Sequence, residues 1–187
     1  IAAAIFEAAS KSQNGLAVDL INLSMQGMPS SATGIGSYDP LLHAAVAFAY
    51  RNDVPIFNSI GNRGIEVKQN EMMGCPASAY EDQIIVVGGY DGPSRFASSA
   101  YGAEVLDLLA PVTNSSTGLA SSSVGGYSTF RGTSSAAPHV TGIAALMLEM
   151  VKEGAGQPNL PAYLAVEDYV QIMAEGRSIR SEERRVG

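Results

Sequence analysis

Two apolar runs joined by a helix-forming segment constrain this chain more than any other feature. "AVDLINLS" (Ala17 to Ser24) and "VPIFNS" (Val54 to Ser59) have the mostly apolar character of strands covered on both faces. Between them lies "PLLHAAVAFAYRND", where Pro40 suits a first helical position and the alanines favour helix. A helix that joins two buried strands makes them parallel, with a right-handed crossover. The remaining pattern extends this α/β reading. Ile1, Ile5, Phe6 and Ala9 recur at helical spacing, with Gly15 as the expected stop. "IIVVGG" (Ile84 to Gly89) and "EVLDLLA" (Glu104 to Ala110) read as further strands. A Ser/Gly-rich loop then leads to a long apolar helix from about Thr133 to Val151, a linker from Gly154 to Pro161 and a closing helix, "PAYLAVEDYVQIMAEG".

The topology has a consequence for chemistry. Open α/β sheets build their sites beyond the carboxyl ends of the strands. "SMQG" (Ser24 to Gly27) follows the first strand and "IGNRG" (Ile60 to Gly64) follows the second. Parallel strands put both segments on the same edge.

Composition removes several function classes. At 187 residues the chain is long enough for one domain with a sizeable core. A net charge of −7 argues against a nucleic-acid partner, because no basic stripe is present to neutralise phosphates. The longest apolar runs, such as Ile84-Ile85-Val86-Val87, are far too short to span a bilayer, so no membrane partner is expected. A single cysteine, Cys75, excludes an internal disulfide framework and a cysteine-based metal cluster. "TGIGSYDP" lacks the third glycine of a dinucleotide loop, and no Gly-Lys-Ser/Thr follows it. No Gly-x-Ser-x-Gly elbow surrounds Ser134, since Ala136 stands where the second glycine belongs.

The stretch "RGTSSAAPHVTG" (Arg131 to Gly142) places adjacent serines at the start of the long helix. Free backbone N–H groups and the helix dipole favour developing negative charge there, which suits a nucleophilic Ser134. The same Thr-Ser-Ser would also serve as a simple N-cap. His139 lies too far around the helix to act as base, at about 140° from Ser134 given about 100° per residue. His43 falls in the middle of another helix, where a packing or surface role suits it better than that of a base. Asn62, at a strand end, has an amide able to donate to an oxyanion, although Gly-Asn-Arg-Gly also makes an ordinary turn.

Taken together these residues resemble the subtilisin-like serine proteases, the subtilases. "GTSSAAPHVTG" agrees with the family's Gly-Thr-Ser-x-Ala-x-Pro-His-Val-x-Gly at every fixed position. "VDLINLSMQG", "VPIFNSIGNRG", "CPAS", "VVGG", "RFASSAYG" and "VLDLLAP" are similar, in the same order, to stretches of family members, so the resemblance covers about Ile1 to Glu175. It implies a three-layer α/β/α fold with a mostly parallel sheet. It implies that Ser134 is the acylated nucleophile and that Asn62 donates to the oxyanion beside the Ser134 N–H. Ser24, Met25 and Gln26 would pair with an extended polypeptide substrate, and Gly27, Ile60 and Gly61 would line the pocket before the scissile bond. No cofactor is required. A structural calcium occurs in the family, and Asp107 could contribute to one, although a solvated or hydrogen-bonded carboxylate is the favoured reading of it. The family's common habit of secretion is the expectation for location.

The chain also departs from the family pattern. Gln26 and Ile60 stand where smaller residues are usual, and both are expected to narrow or reshape the pocket. Val112 follows Pro111 where glycine is common, and Ser135 replaces a frequent Met, removing an oxidisable thioether beside the nucleophile. Neither Asp-Ser/Thr-Gly nor His-Gly-Thr-His, the motifs carrying the family's triad acid and base, occurs here. Residues 1–179 are therefore expected to be the C-terminal part of a peptidase domain whose missing N-terminal part supplies both groups. "RSEERRVG" (Arg180 to Gly187) reads like a translated sequencing adapter and is expected to be foreign to the domain. The alternative to a peptidase is a protease-like binding or scaffold domain without a working triad.

Overall fold

A computed structural model describes residues 1–10, 18–25, 40–68, 83–117 and 127–150. The elements in chain order are α1 (Ala2–Ala9), β1 (Ile21–Leu23), α2 (Pro40–Arg51), β2 (Ile56–Ser59), β3 (Ile85–Asp91), β4 (Ser94–Arg95), β5 (Leu108–Pro111), β6 (Thr113–Thr117), β7 (Tyr127–Arg131) and α3 (Thr133–Met150). β1 pairs with β2, β2 with β3 and β3 with β5, all parallel. β4 turns back antiparallel on the end of β3, through a turn in which Gly92 takes φ 63°.

Alternation along the strands sorts the core into two layers. Ile56, Ile84 and Val86 pack with Ile5, Ala9, Val46 and Ala49 of α1 and α2. Phe57, Ile85 and Val87 pack on the other side with Ala136, Ala137, Val140 and Ala144 of α3. The result is the expected α/β/α arrangement. Complete burial of Phe57, Ile56, Val86 and Val87 contributes roughly 1.5–3 kcal/mol for each side chain. Gly88 and Gly89 allow this close packing. A Cβ on Gly89 would sit 2.0 Å from Val112 Cγ1, so the fully buried Val112 fills the space that the glycine leaves.

Several expectations shift in detail. α1 ends at Ala9 with Ser10 extended, well before Gly15, and Ser10 returns both its N–H and its hydroxyl to Phe6 O. β1 is short and only partly buried, because among the described residues β2 is its one strand partner. The strand expected from Glu104 begins only at Leu108. A turn closed by Leu106 N–H to Gly102 O, at 2.9 Å, uses up the first residues of that run. The Ser/Gly-rich stretch read as a loop contains an antiparallel pair, β6 with β7. Its Ser, Thr and Asn residues lack the apolar alternation by which strands are recognised. The linker from Gly154, the closing helix, Cys75 and Arg180 to Gly187 lie outside the described residues.

Candidate active site

The carboxyl ends of β1 and β2 and the start of α3 meet in one place, and hydrogen bonds define how. The Asn62 loop is held from several directions. Ile60 N–H donates to Val87 O at 2.9 Å, and Ala100 N–H donates to Gly61 O at 2.9 Å. Gly61 N–H donates to Thr133 Oγ1 at 3.2 Å. Asn62 Oδ1 accepts from Thr133 N at 2.8 Å and from Thr133 Oγ1 at 3.1 Å. Thr133 is fully buried, and its hydroxyl both receives from one residue of the loop and donates to the next. This double contact fixes the amide plane of Asn62. Its carbonyl oxygen is committed to α3, so its Nδ2 is the end left to donate elsewhere.

Gly132 makes the approach possible. It adopts φ 129°, a region that side chains disfavour. A Cβ there would lie 3.1 Å from Asn62 Oδ1 and 3.2 Å from Nδ2. The glycine opening the motif thus lets the amide rest against the backbone entering α3. On the same approach, Arg131 pairs with Asp91 and stacks over Phe96 with its guanidinium carbon 4.8 Å from the ring centre.

Ser134 is half-buried in the first turn of α3, and its hydroxyl donates to Ser24 O at 3.1 Å. First-turn N–H groups have no acceptor inside their helix. Pro138 adds to the irregularity, because without an N–H it gives nothing to the Ser134 carbonyl one turn back. Neighbouring Ser135 is buried and accepts from Asn114 Nδ2 of β6, which ties the first turn to the hairpin.

The β1 end is held differently. Asn22 Nδ2 donates to Ser24 Oγ at 3.0 Å, and Asn22 Oδ1 accepts from Thr141 Oγ1 at 3.2 Å. Asn58, wholly buried on β2, donates through Nδ2 to Leu23 O at 2.6 Å and to Met25 O at 3.2 Å. Met25 itself is 48% exposed, an oxidisable thioether beside Ser24.

Of the residues singled out from sequence, Ser134, Ser24, Met25, Gly61 and Asn62 come together here. Ile60 belongs to the strand end too, but its side chain is packed in the α1/α2 core at 2% exposure. The expectation that its side chain lines the pocket is thereby corrected: it packs beneath the loop. Gln26 and Gly27 lie outside the described residues. His139 sets a ring nitrogen, Nδ1, against Ser135 O at 2.8 Å, in keeping with its position around the helix from Ser134. His43 belongs to α2, in the layer across the sheet from α3. These are the two histidines of the sequence. Thr133 and Asn58 were missed as site-shaping residues. A polar residue inside the buried run "VPIFNS" was the available signal, since buried amides demand partners.

Among the described residues no three His, Cys, Asp or Glu side chains cluster. Asp107 Oδ2 accepts from Val86 N–H at 2.6 Å. Loss of water around this carboxyl pushes its pKa up to about 6, and the Val86 hydrogen bond offsets part of the rise.

A buried parallel sheet thus brings a serine at a helix start close to a loop whose side-chain amide is fixed in orientation by the neighbouring Thr133. The chain belongs to the subtilase family, peptidase S8, whose family model matches residues 1–168. It is 39% identical over 137 residues to subtilisin DY of Bacillus licheniformis, covering 73% of this chain and 44% of that protein. It is 32% identical over 136 residues to the major intracellular serine protease of Bacillus subtilis (strain 168), covering 73% and 39%. Among solved structures it is similar to a cold adapted subtilisin-like serine proteinase, with TM-score 0.65 and 26% identity, over 91% of this chain and 52% of that one. The chain therefore spans about half, or less, of the length of these relatives.

Proposed function

We propose that the protein to which this chain belongs is a serine endopeptidase working through an acyl-enzyme on Ser134. The observation that carries the reading is the Thr133 clamp on Asn62, which commits Oδ1 to the residue before Ser134 and leaves Nδ2 as the end able to donate. In this reading Ser134 Oγ attacks the scissile carbonyl carbon while a histidine takes its proton. The oxyanion is met by Asn62 Nδ2 and the Ser134 N–H, donors already in place before charge develops. The histidine returns the proton to the leaving amine, and water then hydrolyses the acyl ester. An extended polypeptide pairs with Ser24, Met25 and Gln26, with Gly27 and Gly61 lining the adjoining pocket above Ile60. No cofactor enters the chemistry.

The resting hydroxyl donates to Ser24 O, so a base must replace that acceptor before attack. With His43 across the sheet and His139 bonded to Ser135 O, this reading takes the base and its orienting aspartate from outside these residues. The purified 187-residue chain is accordingly expected to show no appreciable casein hydrolysis, and robust hydrolysis would sink this assignment of the base. Secretion is proposed from the family resemblance alone. Among the described residues no helix is long and apolar enough to cross a membrane.

The test is to recover the coding sequence on both sides, express the full-length protein and treat it with a fluorophosphonate probe. Covalent labelling that disappears in Ser134→Ala supports the peptidase. An upstream sequence lacking the aspartate or histidine, with no labelling, would move the assignment to a protease-like scaffold.

A further inference from the structure

Asn58 presents a chemical oddity: a fully buried amide on a strand that also buries the apolar Ile56 and Phe57 and the small hydroxyl of Ser59. Burying such a group without partners is costly, so its contacts indicate its use. The two hydrogens of Nδ2 go to Leu23 O and Met25 O, at 2.6 and 3.2 Å. These carbonyls belong to alternate residues, which in an extended segment point to the same side. The intervening Ser24 carbonyl points elsewhere and meets Ser134 Oγ. Leu23 is the last residue of β1 and pairs with Asn58 in the ladder, whereas Met25 lies past the end of the paired strands. A side chain here continues the ladder by one step where backbone pairing has stopped.

We infer that Asn58 is a positioning residue for the substrate-pairing segment: by holding Leu23 O and Met25 O toward β2, it keeps the outer edge of Ser24 and Met25 extended and open to an incoming peptide strand. The inference rests on the peptidase reading above. It concerns substrate alignment: the one contact of the acylating serine on this segment is the resting bond to Ser24 O, which in the peptidase reading gives way to the base before attack. Removing the amide frees the segment to collapse or twist, and a peptide that pairs along it pays the cost of ordering it.

The experiment uses the full-length protein, with Asn58→Ala and the shape-conserving Asn58→Asp. Two substrates are compared: a tetrapeptide amide long enough to pair along Ser24 to Gln26, and a blocked single-residue ester that reaches only the pocket. Amide hydrogen exchange across residues 18–25 is measured alongside. For both variants we expect kcat/KM on the tetrapeptide to fall about tenfold, mainly through KM, as suits the loss of one or two hydrogen bonds. Ester hydrolysis should stay within about twofold, and exchange at Ser24 and Met25 should rise about tenfold while α3 is unchanged. Parallel loss on both substrates, or unchanged exchange, would overturn the positioning role. A wild-type protein that hydrolyses neither substrate would overturn the peptidase reading itself, and the positioning role with it, whatever the exchange data. Active wild type with unselective variants overturns only the role of Asn58.

Discussion

The ends of β1 and β2 lie side by side on one edge of the sheet, yet they are built to different standards. β2 is buried along its whole length between two strands and two helical layers. Its exit loop is tied through backbone bonds to Val87 and Ala100 and through Thr133 to α3. β1 is a short, half-open strand whose exit depends on side chains: Asn58 from beneath, Asn22 from within and the Ser134 hydroxyl from above. The difference matches the proposed tasks. A donor to a developing oxyanion has to be in place beforehand, because reorganisation during the reaction would cost the stabilisation it provides. A strand that receives a peptide gains its remaining pairing from that peptide.

The sharpest break in this contrast is the removal of the rigid side's donor. Asn62→Ala in the full-length enzyme should lower kcat by about 10²–10³-fold with little change in KM, a magnitude known from the same donor in another member of this family and not obtained from this structure. Steady-state kinetics on a peptide amide provide the measure. A drop smaller than about tenfold would mean that Nδ2 does not face the reacting oxygen.

Thr133→Val should come next. It keeps the shape of the side chain but leaves Gly61 N–H without its acceptor and Asn62 Oδ1 with one donor instead of two. The unpaired buried group should cost about 1–3 kcal/mol of stability. A looser Asn62 should lower kcat by about tenfold, less than outright deletion. Denaturant melts and kinetics on the same protein separate the two effects. Unchanged kcat with lowered stability would reduce the clamp to a structural tie.

This asymmetry also governs how far the sequence could be read. The β2 end was legible because "VPIFNSIGNRG" couples a buried run to a family-like loop, and the order of segments placed it beside "GTSSAAPHVTG". The parallel α/β sheet followed from the helix between two apolar runs, and the three-layer arrangement from the family resemblance. What escaped was the part made by long-range side-chain contacts. Asn58 looked like one polar residue in a strand, and nothing local says that its amide reaches Leu23 and Met25. Thr133 looked like a helix cap, a role any Thr before a helix fills, while its contacts with Gly61 and Asn62 exist only after the sheet forms. Ile60 misled in the other direction. Its place beside Gly61 suggested a pocket wall, whereas strand alternation puts its side chain in the core.

On the flexible side, effects should be smaller. Asn22→Ala removes the contacts to Ser24 Oγ and Thr141 Oγ1, both at the surface. Exposed hydrogen bonds compete with water, so kcat/KM on a tetrapeptide should fall by only about twofold. A loss as large as that of Asn58→Ala would show that the segment is held from within its own strand and not from β2.

The smallest effect is expected at the other edge of the sheet, where β5 is joined to β3 by a titratable group. Asp107 N–H donates to Val86 O at 3.1 Å, and its Oδ2 accepts from Val86 N–H at 2.6 Å. Partial loss of water raises the folded-state pKa from 3.8 to about 6, so the fold prefers the protonated acid. The unfolded chain releases that proton near its ordinary value. Between those limits the folded state holds more protons, and stability must fall as pH rises. The favourable contribution is complete below about 4 and is lost as pH passes through about 6. Because Asp107 is exposed as a residue, solvent limits the size of the change. Asp107→Asn supplies a neutral reference whose amide oxygen can still accept from Val86, so the two proteins are compared in thermal melts from about pH 4 to about pH 7. The difference between their Tm values should move against wild type as pH rises. A flat difference, or one moving toward wild type, would mean that this edge is held by its hydrogen bonds alone, as the Asn62 loop is.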